Sequence, residues 1–167
     1  MGEWFHRDCS SIRELDPEVY SQGSFRLGTV IPPLLEGEEY DLDLVVKVLK
    51  KKCEVSPKEL KNLIGVEVKS YSEAQCFKES PEEGKRCWTQ SYQDSVNFHM
   101  DILPSIPEEE ARVNSLISAG VPAVLAQKAI AITDNTHQDY ESVPSEWPSS
   151  NSKGYACLLY TSPSPRD

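Results

Sequence analysis

The sequence predicts an α/β or α+β domain, and three observations carry the prediction. Two runs, "YDLDLVVKVL" at 40–49 and "SVNFHMDIL" at 95–103, join β-branched and aromatic residues to polar/apolar alternation, the pattern of half-buried strands. The stretch "SPKELKNLIGVEV" at 56–68 has a complete helix start: Ser56 at the N-cap, Pro57 at the first helical position and Glu59 at the capping-box position. "PEEEARVNSLISAG" at 107–120 puts acids in the first turn of a second helix and Gly120 at its stop. Alternating strands and helices pack as layers around one core, and 167 residues are enough to build one.

In chain order, "MGEWFHRDC" reads as the last turns of a helix, "SIRELDPE" as a turn-rich link and "VYSQ" as a short strand leading to Gly23. Two prolines and a glycine make "TVIPPLLEGEE" a loop before the strand at 40–49. After the capped helix, "SPEEGKR" is a loop and "CWTQSYQ" a candidate strand. The strand at 95–103 is expected to end at Pro104. "VPAVLAQKAIAITD" is compatible with a helix followed by a strand, but its pattern does not decide the assignment, and "NTHQDYESVPSEWPSSNSKGYA" reads as irregular and polar. No internal repeat is present.

The chain is acidic, with 27 Asp and Glu against 17 Lys and Arg and a formal net charge of -10. A binder of long nucleic acid is ordinarily basic, so that partner class is set aside. No run has the apolar length of a membrane span and no signal peptide precedes "MGEWFHRDC", which predicts no membrane partner and a cytoplasmic location. The five cysteines follow no C-x-x-C metal spacing and no disulfide framework, and are expected to be free thiols. The last eleven residues, "CLLYTSPSPRD", match one translated frame of a transposase-type sequencing adapter. The expected organisation is therefore a domain over 1–156, incomplete at its C-terminal side, followed by an adapter-derived segment over 157–167.

Strand alternation then places the chemistry. Leu42, Leu44, Val46 and Val48 share one face of the first strand, with Asp41 and Asp43 on the other. Val96, Phe98, Met100 and Ile102 share one face of the second, opposite Asn97, His99 and Asp101. If the two strands are neighbours, three carboxylates crowd one rim. Asp41 and Asp43 stand about 7 Å apart along the strand, where two bare carboxylates repel by roughly 0.6–2.4 kcal/mol. An all-oxygen set of this kind suits Mg²⁺ or Mn²⁺ rather than zinc. Each Asp alone reads equally as a solvated residue on an exposed face. Gly23 and Ser24 upstream favour a site, because a Gly-Ser turn lets backbone N–H groups approach an anion closely.

The order Gly-Ser, then Asp-x-Asp on a strand, then a single Asp on a later strand resembles the polymerase-β-like nucleotidyltransferases. "YSQGSFRLGTV", "EYDLDLVV", "FHMDILPSIP", "AIAITD" and "WPSSNSKGYA" resemble more closely the bacterial cyclic-oligonucleotide synthases, relatives of cyclic GMP-AMP synthase used in antiphage defence. The resemblance covers about residues 3–156; the insert between Phe25 and Tyr40 is longer than the superfamily's, and Ser152 stands where the family has proline. It implies a nucleotidyltransferase palm with a mixed sheet flanked by helices, and a C-terminal helical domain that this chain lacks. It also implies an enzyme that uses two Mg²⁺ ions, with Mn²⁺ as a substitute, to join ATP or GTP into a cyclic oligonucleotide. Asp41, Asp43 and Asp101 would be the catalytic metal ligands, and Gln22, Gly23 and Ser24 would hold the triphosphate. A regulatory protein partner is compatible with this reading, and the 1–167 chain alone is expected to be inactive. Arg26 reads as a surface or phosphate-contacting residue, His99 as packing or support for Asp101, and Lys153 as a surface, phosphate or base contact. Glu108–Glu110 read as a helix N-terminus. Modification of a protein or RNA acceptor, and a non-catalytic nucleotide-sensing module, are the alternatives.

Overall fold

The computed structural model describes residues 1–30, 40–92, 98–143 and 146–161. Val96, Asn97, most of the 29–39 loop and residues 162–167 lie outside the described residues. In chain order come α1 (Gly2–Phe5), a 3₁₀ turn at Arg13–Leu15, β1 (Glu18–Ser21), α2 (Gly23–Leu27), β2 (Tyr40–Lys47) and α3 (Pro57–Ala74). Then follow β3 (Glu82–Glu83), β4 (Trp88–Tyr92), β5 (Phe98–Pro107), α4 (Glu110–Ser118), α5 (Ala123–Ala126), β6 (Ile130–Ile132), β7 (Ser149–Ser150) and α6 (Ser152–Thr161).

The strands form one mixed sheet in the order β1-β2-β5-β4-β3, with β6 pairing β5 and β7 pairing β6. β2 and β5 are parallel, and the other pairs are antiparallel. Parallel neighbours need a crossover, and α3 supplies it. Its start is the capping box read from the sequence: Ser56 Oγ accepts from Glu59 N while the Glu59 carboxylate accepts from Ser56 N. Leu60, Ile64 and Val68 recur every four residues and so form one helical stripe. They join Val46, Val48, Trp88, Met100, Ile102 and Ile106 in the main core, which Phe5 and Ile12 complete. The opposite sheet face carries a smaller cluster of Val45, Leu103, Ile130 and Ile132, with Tyr20 packed against it.

Two buried charges on α3 fix the segments that flank the sheet. Glu67 accepts from Arg7 Nη1 at 2.7 Å, Ser11 N at 2.7 Å and Ser11 Oγ at 2.8 Å, which pins the N-terminal segment. The ammonium of Lys61, fully buried, donates to the carbonyls of Gly84 and Lys85 and so holds the turn between β3 and β4. Beside it Trp88 Nε1 donates to the Lys61 carbonyl at 2.9 Å, and the indole lies flush on Gly65. A Cβ at Gly65 would stand 2.8 Å from Trp88 Nε1 and nearer still to its ring carbons. Gly65→Ala is therefore expected to destabilise the chain by about 2 kcal/mol, because overpacking of about 1–3 kcal/mol outweighs the helix-propensity gain of at most about 1 kcal/mol. Thermal denaturation should show a Tm lowered by about 4–8 °C.

Four expectations need correction. "SPEEGKR" is not a loop throughout, because Glu82–Glu83 form β3, paired with Thr89 and Trp88 of β4. Pro104 does not end β5, which continues to Pro107. On the side away from β2 the partner changes from β4, last paired at Ile102, to β6, first paired at Ser105. The missing proline N–H falls in that gap, and the Pro104 carbonyl still accepts from Thr133 N at 3.3 Å. The stretch after Asn135 is not irregular throughout: β7 pairs with β6, and α6 begins at Ser152. Asn151 starts that helix as its cap, its Oδ1 accepting from Gly154 N at 2.9 Å. Finally, Glu108–Glu110 are not simply the acidic start of a helix. Only Glu110 lies in the first turn of α4, whereas the Glu108 carboxylate is buried against Lys52 Nζ at 2.7 Å.

Candidate functional site

Parallel pairing of β2 with β5 decides which acidic side chains meet. Asp43 lies directly opposite Asp101, and Asp41 opposite His99. Neighbouring strands are about 4.8 Å apart, so Asp43 and Asp101 form the inner pair, both half-buried, with Asp41 exposed at the edge. Further along the same face Val45 and Leu103 are buried, so the acidic surface ends where the smaller core begins.

β1 delivers the Gly-Ser segment to this pair. Gln22 N donates to the Asp43 carbonyl at 2.9 Å. The next residue, Gly23, has φ +60° and turns the chain from β1 into α2. A Cβ there would overlap Asp43 Oδ2 and stand 3.1 Å from Cγ. Gly23 is thus required twice, by its left-handed backbone and by the carboxylate pressed against it. Gln22 and Ser24 are half-buried on either side.

On the far side of β5, antiparallel β4 places Thr89 opposite Asp101. Thr89 Oγ1 donates to Asp101 Oδ1 at 2.6 Å. Sequence reading missed this residue, because "CWTQSYQ" gives a strand but not its register. A cavity of about 230 Å³ opens between these elements, lined by Gln22, Asp43, Arg86, Cys87, Asp101 and Leu103 among others. Cavities of about 490 and 520 Å³ lie elsewhere, but neither is lined by an aspartate.

Burial raises the Asp43 carboxyl above the usual carboxylate range, and the charges of Asp101 and then Asp41 push it further. Burial also raises the Cys87 thiol, with Asp101 adding to the effect. The cluster therefore holds uncompensated negative charge on oxygen donors, which fits a hard divalent cation. Among the described residues no three Asp, Glu, His or Cys side chains already converge as a ligand cage.

Arg86, at the cavity mouth, is tied back by Asp134: Nε donates to Oδ2 at 2.8 Å. Burial would raise the Asp134 carboxyl, but hydrogen bonds from Thr136 Oγ1 and from Arg86, with Thr136 N, outweigh it and hold the group at about 2. A depressed folded-state value stabilises the fold above the unfolded value near 3.8 and loses that contribution as pH falls toward 2. With exposed Arg86 screened by solvent, the contribution is on the order of 1–2 kcal/mol. Urea midpoints of wild type and Asp134→Asn should differ at pH 7 and converge between pH 4 and about pH 2.

Of the remaining sequence candidates, Lys153 and Arg26 are engaged on and beside β1, whereas His99 stands opposite Asp41. Lys153 pairs with Glu18 and lies over the Tyr20 ring at 3.7 Å, so it is engaged on β1. Arg26 Nη1 donates to the Ser21 carbonyl at 3.4 Å. His99 Nδ1 lies 3.3 Å from Ser91 Oγ, across the β4–β5 pair. No disulfide links the five cysteines, and no helix among the described residues is long and apolar enough to cross a membrane.

A family described as cyclic GMP-AMP synthase DncV-like, nucleotidyltransferase domain, matches residues 17–104, a span that contains Gln22, Gly23, Ser24, Asp41, Asp43, Thr89 and Asp101. A c-di-GMP synthase of Roseivirga ehrenbergii is 28% identical over 104 residues, 62% of this chain and 26% of that protein. Among solved structures, the fold is similar to the Bradyrhizobium diazoefficiens CD-NTase CdnG in complex with GTP, with a TM-score of 0.64, 19% identity, and 93% of this chain and 37% of that one covered. It is also similar to the Vibrio cholerae DncV cyclic AMP-GMP synthase, with a TM-score of 0.58, 17% identity, and 86% and 33% covered. A DncV variant in complex with ATP, GTP and 5MTHFGLU2 has a TM-score of 0.58 at 17% identity, with 90% and 39% covered. The chain thus spans 26% of the curated relative and 33–39% of these solved chains.

Proposed function

The chain belongs to the DncV-like nucleotidyltransferase family, and from that premise we propose that it is the palm of an enzyme that joins nucleoside triphosphates into a cyclic oligonucleotide. The observation that carries the reading is the in-register pair Asp43–Asp101, with Gly23 packed against Asp43. Asp41, Asp43 and Asp101 would hold two Mg²⁺ ions, or Mn²⁺. Bound there, the ions would neutralise charge on the phosphoryl oxygens and favour loss of the attacking hydroxyl's proton. The protein's own part is placement. Gln22, Gly23 and Ser24 offer backbone N–H groups and a hydroxyl beside Asp43, where the triphosphate of an NTP would lie. Thr89 holds the Oδ1 oxygen of Asp101. GTP and ATP are the proposed substrates, in keeping with the nucleotides carried by CdnG and DncV. Signalling in antiphage defence is the proposed setting.

The test uses a form extended to the length of its relatives, incubated with labelled NTPs and Mg²⁺ and then treated with phosphatase. Phosphatase-resistant small products are expected. Label on a protein or RNA acceptor would replace this reading with acceptor modification. Absence of turnover would replace it with a nucleotide-sensing role.

A further inference from the structure

Thr89 Oγ1 donates to Asp101 Oδ1 at 2.6 Å, and the Cys87 thiol lies beside the same carboxylate. The bond is built by register: Thr89 stands opposite Asp101 on one side of β5, as Asp43 does on the other. A carboxylate offers about four acceptor positions, so one hydroxyl on Oδ1 fixes its plane and still leaves acceptor positions for a cation. Threonine suits the task, since its branched Cβ restricts χ1 within a strand. The turn that leads into β4 is itself anchored, by Lys61 on the Gly84 and Lys85 carbonyls, and Trp88 is held by its indole on the Lys61 carbonyl. The position of Thr89 is thus set by buried contacts on α3.

We infer that Thr89 is a positioning residue that orients the Asp101 carboxylate toward Asp43 for divalent-cation binding. The inference rests on the proposed carboxylate metal site and adds to it the residue that keeps one ligand from turning away. Without the hydroxyl, Asp101 gains freedom to rotate away from Asp43, whose negative charge repels it.

The probe is Mn²⁺ alone, titrated into the 1–167 chain and followed by the electron paramagnetic resonance signal of the free ion. Thr89→Val, close in shape to wild type, is expected to weaken binding roughly tenfold or more, the usual scale for loss of a ligand-orienting hydrogen bond. Thr89→Ser should restore it to near wild type. In an Asp101→Asn background Thr89→Val should add no further loss, because the hydroxyl acts through that carboxylate. Unchanged Mn²⁺ affinity in Thr89→Val, with wild type binding, would overturn the inference and leave the metal site standing. Equal losses from Thr89→Val with and without Asp101→Asn would also overturn it, by making the effect a general one on the fold. Absence of Mn²⁺ binding by wild type would overturn the carboxylate site and the Thr89 role together.

Discussion

Asp43→Asn is expected to abolish nucleotide transfer, by at least about 10²-fold, while leaving the protein at least as stable as wild type. The two effects have one origin. Asp43 is half-buried beside Asp101, and burial, Asp101 and Asp41 all disfavour its charged form. A carboxyl raised in the folded state destabilises the fold once pH exceeds its unfolded value, so a neutral isostere relieves strain at pH 7. The same unrelieved charge is what a divalent cation would neutralise, and asparagine offers a much weaker ligand of near-identical shape. Turnover is to be measured on a form extended to the length of its relatives, and Tm on the 1–167 chain without added metal. A fall in Tm would mean that the Asp43 carboxylate supports the fold, for instance through an unrecognised cation partner. Turnover within tenfold of wild type would remove Asp43 from the metal set. The opposed signs make this variant more informative than a deletion of the whole cluster, and they follow the general tension between a charged site and stability.

How much of this was legible in the sequence depends on the kind of information each element needs. The α3 start was legible because a capping box is local: Ser56, Pro57 and Glu59 sit within four residues. The faces of β2 and β5 were legible from alternation, and Leu42, Leu44, Val46, Met100 and Ile102 do pack toward the main core. What alternation cannot give is register. Thr89 opposite Asp101 depends on how β4 slides against β5, and a shift of one residue would have placed Gln90 or Trp88 there. The run of β5 through Pro104 depended on a change of partner strand, which no local rule contains. α6 was missed for a different reason. Its cap, Asn151, was present in the sequence, but the surrounding serines and prolines outweighed it. Glu108 was assigned with its neighbours to a helix end, because burial against Lys52 is a tertiary fact.

Gly23→Ala is expected to remove both nucleotide binding and metal binding, and Gly28→Ala provides its control. The sequence alone suggested that a side chain at Gly23 would obstruct the triphosphate. The structure adds an obstruction on the other side, since the new Cβ would overlap Asp43 Oδ2. The two glycines stand at the first residue of α2 and just past its end with nearly the same φ, +60° at Gly23 and +63° at Gly28. An L-residue held there costs roughly 1–2 kcal/mol, so both substitutions should lower Tm by a similar first increment. Their surroundings differ. At Gly28, among the described residues, a Cβ would meet Tyr160 Oη at 3.9 Å, an ordinary contact. At Gly23 either the Asp43 carboxylate must swing away from Asp101 or the β1–α2 turn must lift from β2, and the second would break the Gln22 N bond to the Asp43 carbonyl. Either movement disrupts the Asp43–Asp101 pairing to which cation binding is proposed. Mn²⁺ titration and binding of a non-hydrolysable GTP analogue should therefore fall by at least about tenfold in Gly23→Ala, the range expected when a ligand loses its orientation. Both should stay near wild type in Gly28→Ala. Equal losses in the two variants would assign the effect to backbone strain in α2. Retention of both activities in Gly23→Ala would mean that the close approach of Gly23 to Asp43 has no part in the site.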